Sequence, residues 1–79
     1  MHFDDCVDAR GLACPMPLLK ARLALNQLAA GQVLKVVATD AGAQRDIPAF
    51  ARLSGHELLS AEQTPEQQFI FYLRKKQDA

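Results

Sequence analysis

The segment Val33-Leu34-Lys35-Val36-Val37-Ala38 constrains this chain more than any other. It is β-branched and nearly continuous in apolar residues, the composition of a strand in the interior of a sheet. An interior strand needs a partner on each side, and the chain offers three candidates. Phe3 to Ala9 has strand character at Cys6 and Val7 and is ended by Arg10-Gly11. His56 to Glu62 reads as a third main strand. In the last, Phe69, Phe71 and Leu73 alternate with Ile70, Tyr72 and Arg74. Both of its registers are largely apolar, so it is central or covered on more than one side. Gln63-Thr64-Pro65-Glu66-Gln67 turns the chain into it.

Two helical patterns lie between the strands. Leu18, Ala21, Leu25 and Leu28 recur at spacings of three and four, predicting a helix from about Pro15 to Ala29. Lys20, Asn26 and Gln27 fall away from that face, and Gly31 is placed to end the helix as a C′ glycine. Thr39 to Gln44 reads as a loop. A second helix follows from Arg45 to Ser54, with Ile47, Phe50, Ala51 and Leu53 facing inward. Pro48 falls in its first turn, where a missing N–H costs little, and Gly55 stops it. The order strand-helix-strand-helix-strand-strand predicts an α+β two-layer sandwich, two helices packed on one face of a mixed four-stranded sheet. The 79 residues form a single domain, 1–79. Such a chain buries somewhat more than ~60% of its unfolded surface, enough for one core but not for a large enclosed substrate cavity.

Charge and cysteine usage narrow the function. Nine Lys and Arg balance nine Asp and Glu, whereas a domain that grips nucleic acid is usually strongly basic. No direct nucleic-acid binding is therefore expected. Two cysteines are too few for a disulfide scaffold. Met1-His2-Phe3-Asp4-Asp5 does not look like a signal peptide, and no apolar run approaches the ~20 residues that span a bilayer. These features predict a cytoplasmic, reducing location, where a cysteine stays a thiol.

Cys14 is the residue to which chemistry points. It stands just before the first helix, at or near the N-cap, where the dipole and free backbone N–H groups favour an anion. An ordinary thiol is only about 3% thiolate at pH 7, and a helix N-terminus raises that fraction. Arg10 and Gly11 precede it closely, and Arg10 could add positive charge. Pro15, near N1, and Pro17, near N3, stiffen the helix start. They leave Met16 and Leu18 as the N–H donors that could face sulfur. No Asp or Glu lies in this first turn to oppose a sulfur anion. Met16 would also supply exposed apolar contact surface beside the thiol. The competing reading is a small cysteine buried in a turn.

Asp8-Ala9-Arg10-Gly11-Leu12-Ala13-Cys14-Pro15-Met16-Pro17 resembles the signature of the TusA-like (SirA-like) sulfur-carrier family, whose core is Cys-Pro-x-Pro after a strand-ending glycine. Arg45-Asp46-Ile47-Pro48-Ala49-Phe50 and His56-Glu57-Leu58 match as well, so the resemblance covers nearly the whole chain. It implies the same sandwich fold. It further implies that Cys14 accepts a sulfane sulfur as a persulfide from a cysteine desulfurase. The sulfur then passes to a downstream acceptor protein, such as the tRNA 2-thiouridine relay. Asp40 and Arg45 match residues that dock partners in the family. Many relatives carry a proline after that Asp, where this chain has Ala41-Gly42. The resemblance implies a monomeric carrier without cofactor or membrane, whose sulfurtransferase-type chemistry is completed by partners rather than by a stand-alone active site.

The remaining candidates carry less. Cys6 reads as a strand residue packed in the core, without a Cys-x-x-Cys partner. His2 and His56 form no metal spacing with either cysteine. Asp4-Asp5, Glu57, Glu62 and Arg74-Lys75-Lys76 read as solvated. The alternative class is an RNA-binding or regulatory module with an incidental thiol, supported by the basic run Arg74 to Lys76, plus Arg52 and Arg22 if they converge. A minor third is a redox sensor that forms a sulfenic acid on Cys14 or a Cys6–Cys14 bridge.

Overall fold

A computed structural model describes residues 1–77. Its elements run β1 (Asp5–Ala9), α1 (Met16–Gln27), β2 (Val33–Ala38), α2 (Ala43–Ser54), β3 (Glu57–Gln63) and β4 (Phe69–Arg74). The sheet order is β1-β2-β4-β3, with β1 parallel to β2 and the other pairs antiparallel. The two strands apolar in both registers, β2 and β4, are therefore the interior ones. Leu34, Val36 and Ala38 pair with Leu73, Phe71 and Phe69, and these six side chains are buried. That face is roofed by α1 over β1 and β2 and by α2 over β3 and β4. Pro17, Ala21 and Leu25 bury one stripe of α1; Ala43, Ile47 and Ala51 bury one stripe of α2. On the opposite face, Phe3 packs on Tyr72 with ring centroids 6.4 Å apart, and Lys35 Nζ lies 5.3 Å from the Phe3 ring.

Several local expectations are corrected by the packing. The first helix ends at Gln27 rather than Ala29, and Gly31 lies in the turn before β2 instead of at its C′ position. The second begins two residues early, at Ala43, which places Pro48 inside the helix rather than in its first turn. There it lacks the N–H that would bond the Gln44 carbonyl. Leu53 faces solvent, 83% exposed. The buried stripe runs through Ala51, and two residues along a helix turn a side chain about 200° away. Gly55 ends α2 as expected, at φ 89°, with its N–H on the Ala51 carbonyl at 3.0 Å.

The charged termini tie elements together instead of being merely solvated. Lys75 Nζ donates to the Leu25 carbonyl at 2.7 Å and Lys76 Nζ to the Ser54 carbonyl at 3.0 Å. Each cation thus sits against the carbonyl end of one helix, where positive charge is favoured. Arg74 pairs with Glu57 across the β4–β3 ladder. Asp4 accepts the Val33 N–H at 2.8 Å through Oδ2, while its own N–H bonds the Val33 carbonyl. That exchange fastens the entry of the edge strand β1 to β2.

Candidate functional site

Two parallel strands that end together define the site. Ala9 and Ala38 are register partners at the ends of β1 and β2. The segments that follow, 10–15 and 39–42, therefore emerge at one edge of the sheet, and both helices start from it. The turn after β1 is anchored on both sides. Leu12 N donates to the Ala9 carbonyl at 3.2 Å, and Gly11 N to Thr39 Oγ1 at 2.8 Å. Cys14 follows, exposed, and the Cys14–Pro15 peptide bond is cis. Pro15 is the N-cap of α1 and Pro17 its second residue.

The loop from β2 to α2 closes over the same point. Asp40 Oδ2 accepts the Gly42 N–H at 3.0 Å, and the Asp40 carbonyl accepts Ala43 N at 3.1 Å. Gly42 sits in the crevice between these groups. A Cβ there would lie 2.8 Å from Asp40 Oδ2 and 3.5 Å from Cys14 Cβ. The glycine is needed for that close approach rather than for unusual dihedrals, since its φ is −61°. One turn into α2, Asp46 reaches the thiol: Cys14 Sγ donates to Asp46 Oδ2 at 3.0 Å. Arg45 Nε stands 3.5 Å from Asp46 Oδ1 with its side chain 84% exposed.

The electrostatics run opposite to the expectation for a helix N-terminus. The Asp46 carboxylate accepts a hydrogen bond from the thiol and, with partial desolvation and the further negative charge of Asp40, pushes the Cys14 pKa up from its ordinary value. Arg45 works against that shift and does not overcome it. Two helpers foreseen for a thiolate are occupied elsewhere. Met16 N donates to the Ala13 carbonyl at 2.9 Å. Arg10 forks onto Asp8, with Nε and Nη2 each 2.8 Å from a carboxylate oxygen. That cation holds the Asp8 pKa down to about 2. The residue that sequence reasoning missed is Asp46. It was visible in the second motif, but nothing in its spacing connects it to a cysteine 32 residues away.

Beyond these charged groups, the neighbouring helix surface offers exposed apolar side chains. Met16 and Leu19 are exposed on α1. A shallow hollow of about 420 Å³ runs between the helices, walled by Leu18, Phe50 and Leu53, with Asp46 at its edge. Cys6 is exposed rather than packed in the core. It is the register partner of Lys35, on the sheet face that carries no helix. Arg22 does share a hollow of about 340 Å³ with Lys75 and Lys76. Among the described residues, no three His, Cys, Asp or Glu side chains group so as to hold a metal ion. No helix among them is long and apolar enough to cross a membrane.

Comparison with known proteins places this arrangement. The family model described as Sulfurtransferase TusA matches residues 6–75. The sulfur carrier protein TusA of Allochromatium vinosum is 44% identical over 73 residues, covering 92% of this chain and 95% of that protein. TusA of Pseudomonas syringae pv. syringae is 47% identical over 75 residues, covering 95% of this chain and 88% of that protein. In three dimensions, the crystal structure of a SirA-like protein from Desulfitobacterium hafniense superposes with a TM-score of 0.83. It covers 94% of this chain and 100% of its own at 21% identity, a likeness of fold.

Proposed function

This chain belongs to the TusA family, and from that premise we propose that it is a sulfur carrier loaded as a persulfide on Cys14. The observation that carries the reading is an exposed thiol held on a doubly anchored turn. Handing sulfur between proteins needs a reachable sulfur on a rigid support, not a substrate cavity. Cys14 attacks the outer sulfur of a donor persulfide, and a later thiol attacks that same sulfur on Cys14. A cysteine desulfurase fits as donor and a thiol-bearing protein, such as a component of a tRNA-thiolation relay, as acceptor. Both would meet the carrier in the cytoplasm. The test is incubation with a cysteine desulfurase and cysteine, followed by intact-mass measurement. One added sulfur atom supports the reading, and an unchanged mass rejects it.

Arg45 is assigned to docking. Its exposed guanidinium stands at the rim beside the thiol, where a charge steers and orients a partner. Arg45→Ala should leave thermal unfolding unchanged. It should lower sulfur transfer to the acceptor protein, with a residual salt dependence weaker than that of the wild type. Equal salt dependence in the two proteins would refute this. Asp40 shares the rim but also caps the Gly42 amide. Asp40→Ala therefore also loses that hydrogen bond, about 1 kcal/mol of stability, and Arg45 is the cleaner probe.

Direct RNA binding is not part of the reading. Lys75 and Lys76 spend their ammonium groups on helix carbonyls, and the net charge is zero. Phosphate contacts supply most non-specific affinity. A gel-shift with tRNA at ~150 mM salt should show no complex at micromolar protein; a shifted band would favour a binding module instead.

A further inference from the structure

We propose that Asp46 holds the Cys14 proton and thereby tilts sulfur exchange at this thiol toward release. The first half stands on geometry: Asp46 Oδ2 accepts from Sγ at 3.0 Å. The second half rests on the persulfide reading above. The groups that face the sulfur come from two elements. The loop after β2 brings Asp40, and α2 brings Asp46 and Arg45. From the side of β1, Arg10 is locked on Asp8, and the start of α1 presents only Pro15, Met16 and Pro17. Two carboxylates and one exposed guanidinium leave the pocket of charge around Sγ net negative.

A net negative surrounding acts differently on the empty and the loaded carrier. Empty, Cys14 is a neutral thiol that gains a charge-assisted hydrogen bond from Asp46. Loaded, its outer sulfur belongs to a persulfide, which is more acidic than the parent thiol. That sulfur lies about 2 Å beyond Sγ, so its anion remains within Coulombic reach of the same carboxylates. The empty form is stabilised and the loaded form opposed. In loading, the Sγ proton leaves to solvent and the thiolate forms a bond to the donor's outer sulfur. The donor S–S bond breaks, and its electron pair stays on the donor's inner sulfur, which takes up a proton. Release is the same exchange in reverse with an acceptor thiolate. Cys14 then leaves as thiolate, is reprotonated and returns its S–H to Asp46. The sulfane sulfur keeps its oxidation level throughout.

The assignment is tested with Asp46→Asn, which keeps an acceptor oxygen but removes the charge, and with Asp46→Ser as a second variant. The first readout is the pH profile of Cys14 alkylation by iodoacetamide, in a Cys6→Ser background. The variants should show a lower midpoint pH. Their rate at pH 7 should rise at least about threefold, even though a less basic thiolate is intrinsically less nucleophilic. A purely structural role would leave the midpoint in place, and profiles that superimpose on the wild type overturn the proposal. The second readout is the persulfide share at equilibrium with glutathione persulfide and excess glutathione, read by intact mass. The variants should retain more sulfur than the wild type. An equal or smaller share overturns the tilt toward release. A wild type that takes up no sulfur from either this couple or a desulfurase sinks the carrier reading itself, while the alkylation profile still decides whether Asp46 holds the proton.

Discussion

Cys14→Ser should abolish sulfur loading, and Cys6→Ser should leave it intact. After incubation with a desulfurase and cysteine, wild type and Cys6→Ser should each gain one sulfur atom, and Cys14→Ser none. Exposure does not separate the two thiols, because both are accessible. Position does. Cys6 lies within strand β1, its register partner Lys35 in β2, on the face without helices. There the thiol shares a hollow with Asp8, Lys20 and Leu23 instead of standing on a projecting turn. Cys14 projects from a turn at the sheet edge, beside exposed Met16 and the shallow apolar hollow between the helices. A partner's sulfur can reach it while its surroundings seat on those side chains. Serine keeps the size and the hydrogen bond to Asp46, so folding should be preserved. Loading that persists on Cys14→Ser would move the assignment to Cys6.

Phe71→Ala should cost about 3–5 kcal/mol, the range for emptying a large aromatic site in a core. Phe71 is only 2% exposed and sits in β4 between Val36 and Ala61, its register partners on either side. A domain of this length has on the order of 4–12 kcal/mol in total. The melting temperature should therefore fall by roughly 15–30 °C, and a weakly stable background would not fold at all. Phe71→Leu, which refills much of the volume, should restore most of the loss. A drop below about 1 kcal/mol in urea unfolding would mean that β4 is not the centre of the core. Phe69→Ala at the first residue of β4, 7% exposed, serves as the milder comparison.

The fold was legible because its signals are local. Alternation along β4, the continuous apolar run of β2 and the three-and-four spacing of Leu18, Ala21 and Leu25 each depend on residues within a turn or two. Those signals carry which side chains are buried, and hence the layers. Where the periodicity was stretched past its evidence it failed. Leu53 is hydrophobic, yet it lies off the stripe of Ala43, Ile47 and Ala51 and faces solvent. Cys6 has a residue type common in cores, yet an edge strand leaves its outer register open. The lysines after β4 looked solvated because their partners, the Leu25 and Ser54 carbonyls, lie 50 and 22 residues back.

Element order, most of the buried stripe on each element and the place of Cys14, between a strand end and a helix start, follow from residues close together along the chain. The tertiary structure alone decided what that thiol experiences. No acid lies in the first turn after Cys14, and the dipole of α1 taken alone favours a thiolate. The parallel crossover from β1 to β2 brings the start of α2 to the same edge. Asp46 then lies 3.0 Å from the sulfur and reverses the sign of the effect. The physical reason is one of range. Backbone propensity and apolar periodicity act between near neighbours in sequence, whereas a carboxylate acts through space on whatever charge the topology sets beside it.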